Sequence, residues 1–289
     1  MKLFDESLPW YKGNLHLHTR RSDGKVEPEQ AMAFYEQAGY DFLAVTDHRK
    51  CAPQQTFGSL LVLSGCELDY TFEDQVVHIV GVGLNGAPSE QTLACLDPNQ
   101  GISGIREAGG LAILAHPHWS LNTLEMLKRL KGLSAMEIYN SVSNTPWNGR
   151  RADSSAFADL AATHGMALNL VASDDAHFYN GDECKSFIRV NAPECGREAL
   201  LSALDQGRFY ASQGPSFEQI ELTETELVVR CSPVNHVIFY SNRPWVSQRC
   251  VTGKGMTRAA YPLNPADRYL RCAIIDENGR EAWSNPLVF

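Results

Sequence analysis

The 289-residue sequence lacks most of the short signatures that would assign a chemistry at once. None of its eight cysteines forms a Cys-x-x-Cys pair, which removes the usual thiolate zinc and redox motifs. A domain of this size needs no disulfide staples, so these cysteines are expected to be reduced thiols and core fillers. There is no Gly-x-Ser-x-Gly elbow and no Walker-type phosphate loop, which removes the serine-hydrolase and P-loop mechanisms. No run approaches the ~20 apolar residues of a membrane span, and Met1 to Pro9 carries acidic residues without a signal-peptide core. The expectation is a cytoplasmic protein with no membrane contact. A basic excess is missing too: the formal net charge is −9 and the pI about 5.5. That argues against extended nucleic-acid binding, while leaving room for a short nucleotide at a local site.

What is present is ordinary globular material, 44% hydrophobic and 20% charged, enough to build a large core. From Asn14 to about Tyr210, short β-rich runs alternate with segments of helical period, the pattern of a parallel α/β fold. The expected strands are Asn14–His18, Phe42–Val45, Leu60–Cys66, Val76–Val82, Leu111–Ala115, Ala135–Tyr139, Ala167–Ala172 and Ser186–Val190. Helices are expected after Pro28, closing at Gly39; from Pro98 to Gly109; over Leu121, Leu124, Leu127 and Leu130; and from Arg151 to His164. After Gly214-Pro215 the texture becomes all β, so residues 1–214 are expected to form the main domain and 215–289 a small β-sandwich-like appendage. Trp245 and Trp283 are expected to be buried or interface residues of that appendage.

The chemistry gathers at strand exits. In Asn14-Leu15-His16-Leu17-His18-Thr19, alternate side chains point the same way, so His16 and His18 should project together while Ser22-Asp23-Gly24 returns Asp23 towards them. Phe42-Leu43-Ala44-Val45 reads as a buried strand ending in Thr46-Asp47-His48. Glu67 closes the next, His78 lies in the fourth, and Ala115-His116-Pro117-His118 ends the fifth. Ser173-Asp174-Asp175-Ala176-His177 then repeats the i, i+2 spacing, with Asp174 pointing elsewhere. Any one of these histidines alone would pass as a satisfied surface or core residue. Their coincidence with successive strand ends points to one site at the carboxyl ends of the strands.

The candidate metal ligands are His16, His18, Asp23, His48, Glu67, His78, His116, Asp175 and His177. They exceed what one tetrahedral ion can use, so two or three divalent ions are expected, with Glu67 available as a bridge. Mixed imidazole and carboxylate donors suit zinc, manganese or iron alike. Asp47 and His118 are the candidate acid–base groups, and Arg150 and Lys185 the preferred candidates for gripping substrate phosphate, with Arg20, Arg21, Arg49 and Arg151 nearby in sequence.

As an ordered set, His16-x-His18, Ser22-Asp23-Gly24, Thr46-Asp47-His48, Glu67, His78, His116-Pro117-His118 and Asp175-x-His177 resemble the motifs of the PHP (polymerase and histidinol phosphatase) metallohydrolases over approximately residues 10–214. Gly39 to His48, Ala172 to Phe178, Gly207 to Ser212 and the tail from Tyr269 to Pro286 resemble its carbaryl-hydrolase-like (CehA/McbA-like) branch. The resemblance implies a distorted seven-stranded (β/α) barrel of PHP type with a small C-terminal appendage. It also implies a two- or three-metal centre that hydrolyses a small phosphate mono- or diester, a nucleotide, cyclic or sugar phosphate, with a metal-bridging hydroxide as nucleophile. Two other readings fit the same residues: a carboxyl-ester or carbamate hydrolase, and a non-catalytic metal-stabilised binding module.

Overall fold

A computed structural model describes residues 1–289 as a mixed α/β protein. The first half runs β1 (Trp10–Asn14), α1 (Pro28–Gln37), β2 (Phe42–Ala44), β3 (Gln55–Phe57), β4 (Leu60–Leu63), β5 (Gly65–Phe72), β6 (Gln75–Val82), α2 (Glu90–Ala94), α3 (Pro98–Glu107) and β7 (Leu111–Leu114). It continues through α4 (Leu124–Arg129), β8 (Ala135–Asn140), α5 (Ser155–Thr163), β9 (Asn169–Ser173), β10 (Phe187–Asn191), α6 (Arg197–Asp205) and β11 (Phe209–Ser212). The remainder is all strand: β12 (Phe217–Leu222), β13 (Glu226–Tyr240), β14 (Cys250–Pro262), β15 (Tyr269–Ile275), β16 (Glu281–Ser284) and β17 (Leu287–Val288). No helix is long and apolar enough to cross a membrane.

Local chemistry explains most boundaries. Helix α1 has Pro28 in its first turn, Gln30 accepting from the Glu27 N–H at 3.1 Å, and Gly39 in the left-handed region at φ 71° just past its end. Asp97 caps α3 by accepting from Asn99 N–H at 2.9 Å. Thr123 caps α4, so the expected four-leucine helix starts later than its spacing implied: Leu121 lies before the cap at φ 54°, exposed to solvent, while Leu127 and Leu130 are buried. The expected strand over Leu60–Cys66 is broken at Ser64 into β4 and β5.

The ladders form two open sheets. One has the order β12-β13-β15-β16-β11-β10-β1-β2-β4-β3, with β14 on β13 and β17 on β15; the other is β5-β6-β7-β8-β9. The expected closed seven-stranded ring is therefore not what the hydrogen bonds draw. The sheets meet at isolated parallel bridges, Leu17 to Ala176 and His48 to Glu67. Residues 215–289 share a ladder with the rest, because β16 pairs with β11. Trp283 is buried there against Tyr139, ring centroids 5.5 Å apart, whereas Trp245, expected to be covered, is exposed. Strands the sequence did not announce include β14, whose residues are mostly exposed on both faces and so show no apolar period.

Candidate metal centre

The two seams between the sheets carry the chemistry. At the first, β1 has already ended at Asn14, and the expected strand extension survives as a single parallel bridge between Leu17 and Ala176. His18 N–H donates to Ala176 O and Asp175 N–H to His16 O, both at 2.9 Å. Leu17 and Ala176 turn into the core beside α1. The residues flanking them therefore turn the other way, and the two i, i+2 pairs, His16 with His18 and Asp175 with His177, face each other. Gly24 makes the return of Asp23 possible: a Cβ there would sit 2.5 Å from the His18 carbonyl. At the second seam, the His48 to Glu67 bridge sets those two side chains together.

All nine expected ligands converge. His16 Nε2 and His18 Nε2 are 3.2 Å apart, and each is 3.1 Å from Asp175 Oδ1 and 3.3 or 3.0 Å from Glu67 Oε2. Asp23 Oδ2 lies 3.4 Å from His177 Nε2 and 3.8 Å from His48 Nε2. Glu67 reaches His48 Nδ1 at 3.3 Å through Oε2 and His78 Nδ1 at 2.8 Å through Oε1. His116 Nε2 is 3.6 Å from Glu67 Oε1 and 3.8 Å from Asp175 Oδ2. The donor atoms fall into three overlapping groups: His16, His18, Glu67, Asp175; His18, Asp23, His48, His177; and His48, Glu67, His78.

These groups fit divalent cations. His48 Nδ1 and Asp175 Oδ1 are buried without a hydrogen-bond partner; Asp175 Oδ1 is close to two imidazoles, but no N–H is aligned on it. Buried lone pairs turned on one another are costly unless something positive lies between them. Titration points the same way. Burial favours a neutral Asp175, yet His16, His177 and His18 hold its pKa well below the carboxylate range. Burial likewise opposes charge on His177, yet Asp175 and Asp23 push its ring up to about 9. Without a cation, protons supply the positive charge.

One residue was missed from sequence. Glu137, 1% exposed, places Oε1 2.8 Å from His16 Nδ1 and accepts the His116 N–H on Oε2 at 2.8 Å. Ser173 Oγ and Asn140 Nδ2 also donate to it, and the same Asn140 amide reaches Asp175 Oδ2 at 3.2 Å. Glu137 thus touches three of the ligand segments, two of which are strained: His116 sits at φ 28° and Asp175 at φ 53°. Holding Nδ1–H of His16 fixes the tautomer that turns Nε2 towards the cluster. The available signal was a lone acid in the apolar run Ala135-Met136-Glu137-Ile138.

Four other expected site residues do not reach the cluster. Asp47 is buried with its carboxylate accepting from Thr19 N–H at 2.8 Å, Thr19 Oγ1 and Ser22 Oγ at 2.7 Å, so it shapes the loop that bears Asp23. His118 is exposed with Nδ1 2.6 Å from Asp153 O, because the chain enters a turn at Pro117 and the i, i+2 parity with His116 is lost. Arg150 and Lys185 are exposed and absent from the cavity wall. Arg49 is tied to Asp69 and to the Leu93 and Cys95 carbonyls. The cavity over the cluster, about 250 Å³, is lined by Asp23, His48, Glu67, His78, His116, Asp175 and His177 on its floor. Trp119, Val142, Ser143, Trp147, Asn148 and Phe178 form its wall, with no lysine or arginine.

No family model matches the chain. It is 31% identical over 100 residues to a 3′,5′-nucleoside bisphosphate phosphatase of Chromobacterium violaceum, a match covering 32% of this chain and only 33% of that protein. It is 30% identical over 125 residues to the uncharacterized protein MJ1587 of Methanocaldococcus jannaschii, 37% of this chain and 68% of that one. Among solved structures, a two-domain Bacteroides vulgatus protein containing a predicted PHP-like metal-dependent phosphoesterase superposes with a TM-score of 0.55 at 13% identity, over 99% of this chain and 96% of that one. The likeness is one of fold, and it takes in the β-rich tail.

Proposed function

We propose, for a chain that belongs to the same family as MJ1587 and has a PHP-like fold, that it is a metal-dependent phosphoesterase acting on a small phosphate mono- or diester. The observation that carries this reading is the convergence of nine imidazole and carboxylate groups in one cluster, seven of them on the floor of one cavity, with His48 Nδ1 and Asp175 Oδ1 buried and unpartnered. His16, His18, Asp23, His48, Glu67, His78, His116, Asp175 and His177 are the ligands of two or three divalent ions, zinc, manganese or iron. Bound ions of this kind acidify water to supply a nucleophile at neutral pH and neutralise charge developing on phosphoryl oxygens. Glu67 belongs to two of the three groups, with Oε2 towards His16, His18 and His48 and Oε1 towards His78 and His116. His16 and His177 must give up their protons to act as ligands, so metal uptake releases protons. Glu137 keeps His16 oriented while that exchange occurs. The motifs that resemble the CehA/McbA-like branch make that the subgroup to which we assign it, in a cytoplasmic setting.

Elemental analysis of the purified protein, followed by assay of the metal-loaded form against nucleotide, cyclic and sugar phosphates, tests the proposal. We expect at least two equivalents of divalent metal and phosphate release or ring opening. Turnover of carboxyl esters or carbamates alone would support the second reading, which the absence of lysine and arginine from the cavity wall favours. Full metal occupancy with no hydrolysis of either class would reject both.

A further inference from the structure

Three of the six residues that wall the cavity above the metal floor are aromatic, Trp119, Trp147 and Phe178. Trp147 is 69% exposed and Phe178 41% exposed, yet both border the cavity, with ring centroids 5.7 Å apart at 80°. Trp119 closes the inner side, 4.9 Å from the His116 ring. Large aromatic side chains left open to water beside a reactive floor mark a surface that a ligand covers.

The wall's backbone is also braced. Asp182, itself buried, accepts from the His177 and Phe178 N–H groups at 2.7 and 2.8 Å, so Phe178 is fixed by the same clamp as its neighbouring ligand. Trp119 Nε1–H donates to Asn148 Oδ1 at 3.1 Å, bracing the short turn Pro146–Asn148 on which Trp147 stands.

The few polar residues of the wall already spend part of their hydrogen-bonding capacity within the protein. Ser143 Oγ–H donates to Asn140 Oδ1 at 2.8 Å. Asn148 spends its amide on Val142 O at 3.0 Å and its carbonyl on Trp119. A bare sugar would therefore lose water from its hydroxyls with little in return. A second anionic group would meet no side-chain cation. A flat, weakly charged ring instead meets open aromatic faces.

We propose that Trp147 and Phe178 form a subsite for a planar aromatic ring carried by the substrate, a nucleobase or an aryl group, which stacks while its ester is held at the metal floor. This rests on the phosphoesterase reading for the ester but not for the ring. The test measures binding and turnover by the metal-loaded protein of two matched pairs: adenosine 5′-monophosphate against ribose 5-phosphate, and 1-naphthyl phosphate against glycerol phosphate. We expect the ring-bearing member of at least one pair to bind roughly tenfold or more tightly, as base-on-aromatic stacking gives elsewhere. The pair that shows the preference identifies the ring as nucleobase or aryl. W147A and F178A should collapse that ratio towards one, with W147F retaining most of it and circular dichroism confirming the fold. Equal binding of both members in both pairs, or a preference that survives W147A and F178A, would overturn the subsite. Ring-selective binding that depends on Trp147, in a protein that hydrolyses no phosphate ester, would uphold the subsite and reject the phosphoesterase reading.

Discussion

Two regions of this protein bury charge, and they do so in opposite ways. Where the β-rich tail meets α5, Arg271 is 1% exposed and forms a two-pronged pair with Asp159, Nε to Oδ1 and Nη2 to Oδ2, both 2.7 Å. Its guanidinium lies 3.9 Å over the Tyr240 ring, and Tyr269 donates to the same carboxylate at 3.0 Å. That joint sets cation against anion in matched two-pronged geometry, with only Nη1 left without a partner. At the seams between the sheets, carboxylate oxygens and imidazole nitrogens are gathered within a few ångströms of one another, and His48 Nδ1 and Asp175 Oδ1 are buried without a hydrogen-bond partner. Each region leaves atoms without a partner, Arg271 Nη1 at the joint and His48 Nδ1 with Asp175 Oδ1 at the seams, but the joint sets a cation directly against an anion, whereas the seams gather several ligand atoms around shared centres. Burial of charge thus distinguishes structure from function only when the signs of the facing groups are compared.

The sharpest break of this comparison is removal of a floor residue. His16→Ala or Asp175→Ala should abolish metal retention and lower activity by at least on the order of a hundredfold, because each deletes a donor from the central group. The metal-free variants should remain folded, His16→Ala losing its contact with Glu137 and Asp175→Ala its contact with Asn140, so each should melt somewhat below the metal-free parent. Metal content by plasma spectrometry and calorimetry of the apo forms check this; undiminished activity in both variants would remove the site assignment.

The tail joint should respond in reverse. Asp159→Ala strands a buried guanidinium and should destabilise the fold by about 3–5 kcal/mol in denaturant titration. The metal stoichiometry of the folded fraction should stay unchanged. Loss of metal in the folded protein would show that the two regions are coupled.

Glu137 tests the boundary between the two kinds of burial. Glu137→Gln keeps the shape but must set an amide against either the His116 N–H or the donors on the other oxygen. Metal affinity should fall about 10–100-fold by chelator competition, the usual cost of losing a carboxylate behind a ligand histidine. Unaltered affinity would make Glu137 a core residue with no say in the site.

The smallest effect is on pH dependence. In metal-free protein the folded-state pKa of His177, about 9, exceeds the 6.5 of a free ring. Its contribution to stability is therefore complete below about pH 6.5 and lost as pH rises through about 9. A ring that binds metal carries no proton at that nitrogen, so the loaded protein should lack this decline. Melting curves with chelator and with manganese across that window compare the two, and equal slopes would contradict the shared use of His177 by proton and metal.

Much of the floor was legible because it obeys a short-range rule: alternate residues share a face, so His16-x-His18 and Asp175-x-His177 announce themselves. The rule failed where a turn carried the second residue away from the seam, and Asp175 kept its place on the floor although its own backbone, at φ 53°, is not extended. His118 repeats the spacing after His116 but lies beyond Pro117, in a turn. Asp47, beside His48, takes the opposite face and serves the Asp23 loop. Glu137 was invisible for a different reason, since its partners lie far away in the chain and its own strand is otherwise apolar. The tail strands with an apolar period were foreseeable; β14, exposed on both faces, was not. Nothing in the sequence told exposed Trp147 from covered Trp283, because that difference is decided by packing alone.

The most direct test of the whole account is anomalous X-ray scattering from crystals of the metal-loaded protein, recorded at the manganese, iron and zinc edges. The account predicts at least two peaks bracketing Glu67, one within bonding distance of His16, His18 and Asp175 and another near His48 or His78. Peaks confined to other parts of the molecule, or a floor with ordered side chains and no peak at saturating metal, would contradict it.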